Sequence, residues 1–472
     1  MKKKFENQLP TFKIGFIIIL CMGTFSCRKF IEVNPPIEQI TAESAFSNDV
    51  TANAAIIGIY SRLSQNNLIQ NVTPYCGLYS DEVEYYFEGA PRSEFFNSQL
   101  SLASSSSINS NFWLPAYQLI YPANLAIEKL EQSSRITSTL QTKLTGEAKF
   151  IRAYLYLQLS GLFGDVPLVI TSDFEQNSTL PKAPKNQVMD QAINDLLTAI
   201  PSLGENIEPE KIRANRWAAK SLLARAYLYQ GNYALAERYA NEVIESNRYA
   251  LASDLSKTFL KNSSEAILQF FPTQSNQNTP DGVTFLPATT AESPKYVVSQ
   301  NLLNAFEPGD SRRNNWIGSR QFQARTFLYP AKYKIINSAV LSEYLMVIRL
   351  AELYLIRAEA RIQNGNILGG IADLNSIRKR SRMSASTQNP NPLPDLNTGM
   401  SKPEALLAVE RERRIELMFE MGHRWYDLQR TLRAETILKS LKPLTWQSRA
   451  VLWPIPDEQL RANPFLTQNN GY

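Results

Sequence analysis

The chain has 472 residues, of which 44% are hydrophobic and 20% are charged, so it is long enough for about two or three domains and can bury a substantial core. Its formal net charge of +5 is small for this length. Because no Lys/Arg-rich block dominates a folded segment, the sequence shows no electrostatic footprint for nucleic-acid binding. The single histidine, His423, excludes a multi-histidine metal site and argues against most histidine-relay mechanisms. The sequence contains no Walker loop, dinucleotide fingerprint, HExxH or Gly-x-Ser-x-Gly motif, so we expect no cofactor and no metal.

The N-terminus has the organisation of a secretion signal. Lys2–Lys4 form a basic region, and Ile14–Met22 form an apolar run too short to span a bilayer comfortably. The small residue Ser26 then precedes Cys27, an order similar to a bacterial lipobox. We therefore predict cleavage before Cys27 and acylation of this residue, since the diacylglyceryl group is joined through a thioether. The alternative is an ordinary signal peptide followed by an incidental cysteine.

Apolar residues recur at helical spacing over much of the chain. Pro122 is expected to kink or split one of these helices, and Gly164 is expected to end another. The predicted helices cover residues 42–63, 113–130, 140–163, 184–200, 213–246 and 404–432, with a further helical segment that starts near 347.

Two segments share one pattern, an Ala-rich helix, a Gly-Asn turn and a second amphipathic helix. They are residues 213–246, with the turn at Gly231, and 347–381, with the turn at Gly365. The small and large positions fall close to those of a tetratricopeptide repeat. Helices 113–130 and 140–163 are candidates for another pair of the same scaffold. The expected fold class is therefore mainly α, with tetratricopeptide-like helix pairs.

Two long insertions interrupt this scaffold, at residues 64–112 and 265–340. The first has weak periodicity and many Asn, Ser, Tyr and Phe residues, so we expect a long irregular excursion. In the second, helices are expected to be sparse, and short strands are plausible at 266–270 and 325–333.

The predicted helix at 404–432 alternates acidic and basic residues. Glu410 and Arg414 are spaced i, i+4 and can pair, an interaction of about a few tenths of a kcal/mol when exposed. A catalytic use of Glu416 and Glu420 as paired carboxylates is the alternative, although acids interleaved with arginines usually form ion pairs. The expected buried stripe consists of Ile415, Met418, Phe419 and Trp425.

Five blocks, in order behind the candidate lipobox, resemble the SusD/RagB family of Bacteroidota nutrient-binding outer-membrane lipoproteins. The blocks are RAYLYLQLSGLFGDVPLV (Arg152–Val169), RLAELYLIRAEARIQNG (Arg349–Gly365), LNSIRKRS (Leu374–Ser381), ERERRIELMFEMGHRWYDLQR (Glu410–Arg430) and the C-terminal WPIPDEQLRANPFLTQNNGY. SCRKFIEVNPP around Cys27 is similar to the family's usual start.

The resemblance implies a division of the chain and a role. Residues 1–26 would be the lipoprotein signal peptide, 27–40 a lipidated tether, and 41–472 a single helical domain with a loop-rich ligand face. The protein would be anchored in the outer membrane, facing outward, and would deliver nutrients to a SusC-like TonB-dependent transporter. No catalysis is expected.

The ligand candidates lie in the two insertions. The stretch 75–96 packs seven aromatic residues among acids without helical spacing, and flat aromatic faces stack on the apolar C–H surfaces of sugars. We select Asp81, Tyr85, Tyr86 and Trp316 as candidate ligand-binding residues. Alternatively, these aromatics merely pack the loop.

Three other functions stay open from the sequence. A surface glycoside hydrolase would use carboxylates of the 75–96 stretch, but the required separation of two carboxylates is not readable from sequence. A peptide-binding member of the same family would use the same aromatics. A helical-repeat adaptor would bind no sugar at all.

Overall fold

The computed structural model describes residues 41–87, 92–289 and 291–472. The predicted signal peptide, the tether and Cys27 lie outside this part of the chain. The N-terminal elements are α1 Ala42–Ala45, α2 Asp49–Ser64, α3 Asn67–Tyr79, β1 Val83–Tyr85, α4 Arg92–Asn97, α5 Leu102–Ile108, a π-helical turn Asn109–Trp113, α6 Leu114–Gln132 and α7 Ser138–Phe163.

The rest of the chain is also mainly helical. The middle elements are α8 Phe174–Asn177, α9 Lys185–Ser202, α10 Arg216–Gln230, α11 Tyr233–Glu245, β2 Ala266–Phe270, α12 Pro280–Phe285, β3 Tyr296–Val298 and α13 Gln300–Leu303. The C-terminal elements are α14 Ser311–Trp316, β4 Ile317–Phe322, β5 Arg325–Pro330, β6 Leu345–Arg349, α15 Leu350–Gln363, α16 Ile367–Ser381, α17 Lys402–Glu416, α18 His423–Arg430, α19 Ala434–Leu441 and α20 Asp457–Ala462. Short 3₁₀ turns cover Leu255–Lys257 and Ser448–Val451.

The helices form a row in which each packs on the next, in the order α6, α7, α9, α10, α11, α15 and α16. Within this row, one Gly-Asn turn joins α10 to α11 and the other joins α15 to α16. Gly231 and Gly365 have φ of 79° and 93°, the left-handed region that glycine adopts without strain. The asparagine that follows each glycine caps the next helix: Asn232 accepts from Leu235, and Asn366 accepts from Gly369. The prediction of a mainly α fold built from helix pairs is confirmed.

The strands form three two-stranded antiparallel ladders, β1 with β3, β2 with β6 and β4 with β5. The predicted strand at 266–270 is confirmed, and the one proposed at 325–333 ends at Pro330. Pro122 lies inside α6 and does not split it, since the helix runs from Leu114 to Gln132. The predicted buried stripe of Ile415, Met418, Phe419 and Trp425 is confirmed. Cys76 is a buried free thiol.

The expectation that residues 64–112 are irregular was wrong. This segment holds α3, α4, α5 and a π-helical turn. The helical pattern of α3 is weak in the sequence because every residue of its second half, Val72–Tyr79, is buried, so that half has no polar face to reveal its period. Its first turn is fixed by Asn66, whose side chain accepts from the backbone of Leu68.

The predicted helix at 404–432 is broken between α17 and α18. Phe419, Met421 and Gly422 have positive φ of 56°, 44° and 76°. Backbone groups of this turn bind the N-terminal insertion instead of continuing the helix: Phe419 N–H donates to Glu82 (3.1 Å), and Met421 N–H donates to Thr73 (3.1 Å). Tertiary hydrogen bonds therefore override the local helical pattern.

Within the described residues, no helix combines the length and apolarity that crossing a bilayer would require. Nor do the described residues gather three or more His, Cys, Asp or Glu side chains in a group that could hold a metal ion.

Candidate functional site

The β1–β3 ladder places two tyrosines side by side. Tyr85 pairs with Tyr296 in this ladder, and their ring centroids lie 5.1 Å apart. The backbone N–H of Tyr86 donates to the carbonyl of Lys295 (2.9 Å), so the pairing continues one residue beyond the strand. This hydrogen bond fixes the backbone of Tyr86 at the end of the ladder.

The β4–β5 hairpin carries alternating aromatic and arginine side chains on one face. In its register Gly318 lies opposite Tyr329, and Arg320 lies opposite Phe327. Directly opposed residues of a ladder point to the same side, so the same face also holds the last opposed pair, Phe322 with Arg325. The glycine is required here, since a Cβ at Gly318 would lie 2.4 Å from the Tyr329 ring.

The two ladders meet where the rings of Tyr86 and Phe327 contact each other edge to face, with centroids 4.8 Å apart. Phe87 adds a third ring, 5.4 Å from Tyr86 and 6.0 Å from Tyr85. Tyr86 and Phe87 are 41% and 47% exposed, whereas Phe327 is buried beneath them. We name this surface the aromatic face; it consists of Tyr85, Tyr86, Phe87, Tyr296 and Phe327.

Two arginines border the aromatic face. The Nε of Arg92 donates to the hydroxyl of Tyr296 (3.0 Å), and its guanidinium lies 5.1 Å from the Tyr85 ring centroid. Burial raises the pKa of Tyr296 to about 12, so its hydroxyl stays neutral at physiological pH. Arg325 lies 5.4 Å from the Phe327 ring centroid. The surface thus combines apolar ring faces with hydrogen-bond donors at its edge.

Asp81, selected from the sequence as a ligand residue, is instead part of the interior. Its side chain is 2% exposed, and its two oxygens accept from Arg424 at 2.8 and 3.1 Å. Arg414 pairs with the same carboxylate at 2.8 Å. Burial alone would raise the pKa of Asp81, but the two arginines outweigh it and hold the pKa below its usual value. Asp81 joins the end of α3 to α17 and α18.

Trp316 is also removed from the surface, with no exposed area. Its indole N–H donates to the carbonyl of Leu255 (3.3 Å), and the Lys332 ammonium lies 4.3 Å from its ring centroid. Arg349 and Arg380 each lie 5.8 Å from the same centroid. The prediction that Trp316 is an accessible platform for stacking was therefore wrong, because the ring is buried and packs against buried cations.

Those cations neutralise the carboxylates that the sequence offered as a catalytic pair. Burial would raise the pKa of Glu416, but the surrounding arginines outweigh it and hold the pKa well below its usual range. The pKa of Glu420 is lowered in the same way against the effect of burial. Both carboxylates are fully enclosed and ion-paired, an arrangement typical of a structural network. The cations that bind them are Arg312, Arg349, Arg380 and Lys332.

The remaining sequence candidates have structural positions as well. Glu410 does not pair with Arg414; it binds Arg424 and Arg433 at 3.3 and 3.2 Å. His423 is buried 4.0 Å from a Glu352 oxygen, and burial lowers its pKa to about 4, so it is neutral at physiological pH.

Of the four selected ligand residues, the structure brings Tyr85 and Tyr86 together at one surface. Sequence reasoning missed Tyr296, Phe327 and the two bordering arginines. The strand-like alternation of the β4–β5 segment was the available signal, because its period of two places its arginines and phenylalanines on one side.

Two sequence models of known protein families together match most of the chain. A sequence model described as "Starch-binding associating with outer membrane" matches residues 29–228. A second model, described as "SusD family", matches residues 298–472.

Sequence relatives and solved structures agree with these matches. The SusD-like protein P38 of Formosa agariphila is 24% identical over 100% of both chains. A SusD-like protein of Bacteroides ovatus is 26% identical over 68% of this chain and 65% of that protein. A SusD superfamily protein from Bacteroides vulgatus shares the fold with a TM-score of 0.77 at 21% identity, covering 90% of this chain and 100% of that one. A structure described as a laminarin binding SusD-like protein gives a TM-score of 0.73 at 24% identity, covering 90% and 100%. The chain is therefore a member of the SusD/RagB family, a carbohydrate-binding family associated with the outer membrane.

Proposed function

We propose that this protein is a surface lipoprotein that binds an oligosaccharide on the aromatic face and delivers it to a SusC-like TonB-dependent transporter. One observation carries the proposal: Tyr86 and Phe87 expose adjacent rings at a surface where further aromatic rings support them from below. Large exposed aromatic side chains in contact with one another are uncommon on a surface that binds nothing.

The chemistry of this surface suits a sugar better than a small ion. The apolar C–H face of a sugar ring packs on a flat aromatic ring by dispersion and by removal of apolar area from water. Sugar hydroxyls would meet the guanidinium of Arg92 and the hydroxyl of Tyr85 at the edge, where charged donors form the stronger hydrogen bonds. The laminarin-binding protein of the same fold supports carbohydrate as the ligand class.

Delivery to a transporter rests on the anchor and on the scaffold. Cys27, acylated at its thiol and amino group, would hold the protein at the outer membrane, since stable anchoring takes more than one acyl chain. Residues 27–40 would form the tether, in which Arg28 and Lys29 could meet anionic headgroups. The row of helices supplies a broad surface for a β-barrel partner, while the ladders present the aromatic face to ligand.

A hydrolase that uses Asp81 or Glu82 is not favoured by their positions. Asp81 is bound to two arginines, and Glu82 accepts from the backbone of Phe419 in the interior. Glu84 is exposed at the ladder, but a glycosidase requires a second carboxylate across the scissile bond. Incubating the protein with the glycans that it binds, and assaying new reducing ends, tests this alternative.

A binding screen tests the proposal itself. The full chain, purified in detergent, is applied to an array of oligosaccharides that includes laminarin-derived chains, with a peptide library in parallel. We expect saturable binding to at least one glycan, and binding to peptides alone would contradict the proposal.

Paired variants then locate the binding surface. Tyr86→Ala should weaken glycan binding by at least about ten-fold, the loss typical of a central aromatic contact. Tyr121→Ala is the matched control, since Tyr121 is a half-exposed tyrosine on α6 outside the aromatic face. Equal affinities of the two variants would place the sugar elsewhere.

A further inference from the structure

The segment that contains the β4–β5 hairpin has an unbalanced charge. Residues 311–342 include six basic residues and no aspartate or glutamate. The six are Arg312, Arg313, Arg320, Arg325, Lys332 and Lys334. Arg312 and Lys332 are buried and bind carboxylates of α17 and of the turn that follows it. Arg320 is half-buried and Arg325 is exposed, and neither guanidinium forms an ion pair or donates a hydrogen bond within the described part of the chain. The hairpin therefore brings two uncompensated positive charges to the surface.

Both of these arginines lie beside the aromatic face. In the register of the hairpin, Arg320 is directly opposite Phe327, so the two side chains share one side of the ladder. Arg325 is on this side as well, and its guanidinium lies 5.4 Å from the Phe327 ring centroid. The exposed ring of Tyr86 lies 4.8 Å from that same centroid. The two positive charges thus border the ring on which we propose that a sugar stacks.

A lysine adds a third positive charge from the β1–β3 ladder. The hydrogen bond from the Tyr86 N–H to the Lys295 carbonyl continues the register of this ladder by one pair. Tyr86 and Lys295 are therefore opposite each other, and their side chains point to the same side. Lys295 is exposed, forms no ion pair with any described residue, and precedes β3, which packs against β5. Cations of two separate ladders thus surround one exposed tyrosine.

One exposed carboxylate opposes these cations. Glu84 precedes Tyr86 by two positions in the chain, so the alternation of a strand places both side chains on the same side. Glu84 is not ion-paired to any residue that the structure describes. Glu94, a further acid of this segment, accepts from the backbone and hydroxyl of Ser101. With three cations against one carboxylate, the surroundings of Tyr86 are positive and attract anions.

We propose that the ligand of the aromatic face is an acidic oligosaccharide, which carries carboxylate or sulfate groups on its sugar rings. One sugar ring would stack on Tyr86, and an acidic group of this ring or of its neighbour would accept hydrogen bonds from Arg320 and Arg325. The planar fork of a guanidinium matches the paired oxygens of an oxyanion, and hydrogen bonds between charged partners are stronger than those to a neutral hydroxyl. This inference rests on the proposed function and names the class of glycan that it concerns.

Matched acidic and neutral glycans test the inference. The array of oligosaccharides is extended with oligogalacturonates and sulfated galactan oligosaccharides, each beside a neutral counterpart prepared by methyl esterification or desulfation. We expect the tightest binder to be acidic and its neutral counterpart to bind at least about ten-fold more weakly. The pair that shows this difference distinguishes a carboxylate from a sulfate.

The outcomes separate this inference from the proposed function. A tightest binder that is neutral, or a neutral counterpart that binds as tightly as its acidic form, would overturn the inference and leave the proposed function intact. Binding of no glycan at all would overturn both. Salt gives a second readout: a change from about 0.05 M to about 0.5 M should weaken binding of the acidic glycan more than that of its neutral counterpart, because salt screens exposed charges.

Charge variants locate the acidic group of the ligand. Arg325→Met keeps an apolar side chain beside Phe327 and should weaken binding of the acidic glycan by about ten-fold, so the ratio of acidic to neutral affinity falls. Arg135→Met is the matched control, since Arg135 is an exposed arginine between α6 and α7 and its loss changes the net charge equally.

Glu84→Gln provides a readout of opposite sign that a folding defect would not imitate. Removal of this carboxylate should tighten binding of the acidic glycan by about a few-fold and raise the same affinity ratio, because a like charge near the anion is lost. A ratio that stays at its natural value in both Arg325→Met and Glu84→Gln would overturn the assignment of these charges to ligand recognition.

Discussion

The ring of Tyr86 rests edge to face on the ring of Phe327, with centroids 4.8 Å apart and planes at 78°. The two residues belong to different ladders and are more than two hundred positions apart in sequence. Tyr86 is exposed, and Phe327, at 5% exposure, is nearly inaccessible to a ligand. The orientation of the exposed ring is therefore set by a buried one.

Phe327→Ala should weaken glycan binding, because the Tyr86 ring loses its support although no sugar contact is removed. We expect a loss of about five-fold or more, together with a lower free energy of unfolding. Phe259→Ala is the matched control, since Phe259 is a buried phenylalanine that packs on Trp316 instead. Affinity measured at a temperature where both variants are folded decides the question, and equal affinities would show that Phe327 does not position Tyr86 for binding.

Asp81→Asn should destabilise the protein without changing its affinity for glycan. The substitution leaves Arg424 and Arg414 without their buried counter-ion, and breaking such a pair costs about 3–5 kcal/mol of unfolding free energy. Denaturant unfolding measures the loss, and glycan titration under native conditions measures the affinity. A variant that keeps its stability and loses glycan binding would show that Asp81 belongs to the ligand site after all.

The free energy of unfolding should fall as the pH rises from about 4 to about 8, because the buried carboxyl of Asp281 stays protonated in the folded protein. This residue is buried in α12, one of its oxygens has no partner among the described residues, and burial raises its pKa to about 8. Below about pH 4 the carboxyl is protonated in both states, so its contribution is fully present. As pH rises toward about 8, the unfolded chain releases the proton and the folded chain does not, so stability is lost. Glu82, with a pKa of about 7, acts in the same direction.

Asp281→Asn isolates this effect. The variant removes the titrating group and keeps the shape of the side chain. The unfolding free energy of the variant minus that of the natural protein should therefore increase by about a few kcal/mol from pH 4 to pH 8. Lys442, whose pKa burial lowers to about 7, titrates in both proteins and cancels from the comparison. Parallel unfolding free energies of the two proteins across this pH range would contradict a protonated Asp281.

Cys27→Ser should abolish acyl-chain labelling and retention in the outer membrane, because the serine hydroxyl cannot form the thioether. Cys76→Ser is the control, since Cys76 is a buried free thiol in α3 and should leave labelling unchanged. Labelling and membrane retention are measured in cells that express each variant. Full labelling of Cys27→Ser would refute the predicted anchor.

The helix row was predictable from the sequence, whereas the aromatic face was only partly so. The Gly231 and Gly365 turns and the amphipathic pattern around them are local signals, and local signals survive folding. The helix α3 escaped prediction because burial of its entire second half, Val72–Tyr79, erased the period there. Trp316 appeared accessible because the buried arginines that enclose it come from distant segments. The partnership of Tyr86 with Phe327 likewise exists only once the two ladders meet.

The most direct test of the account is a crystal structure of the protein with an oligosaccharide selected by the binding screen. We predict a sugar ring stacked on Tyr86 or Phe87, with its hydroxyls toward Arg92. A sugar bound at another surface, with the aromatic face unoccupied, would contradict the proposed site.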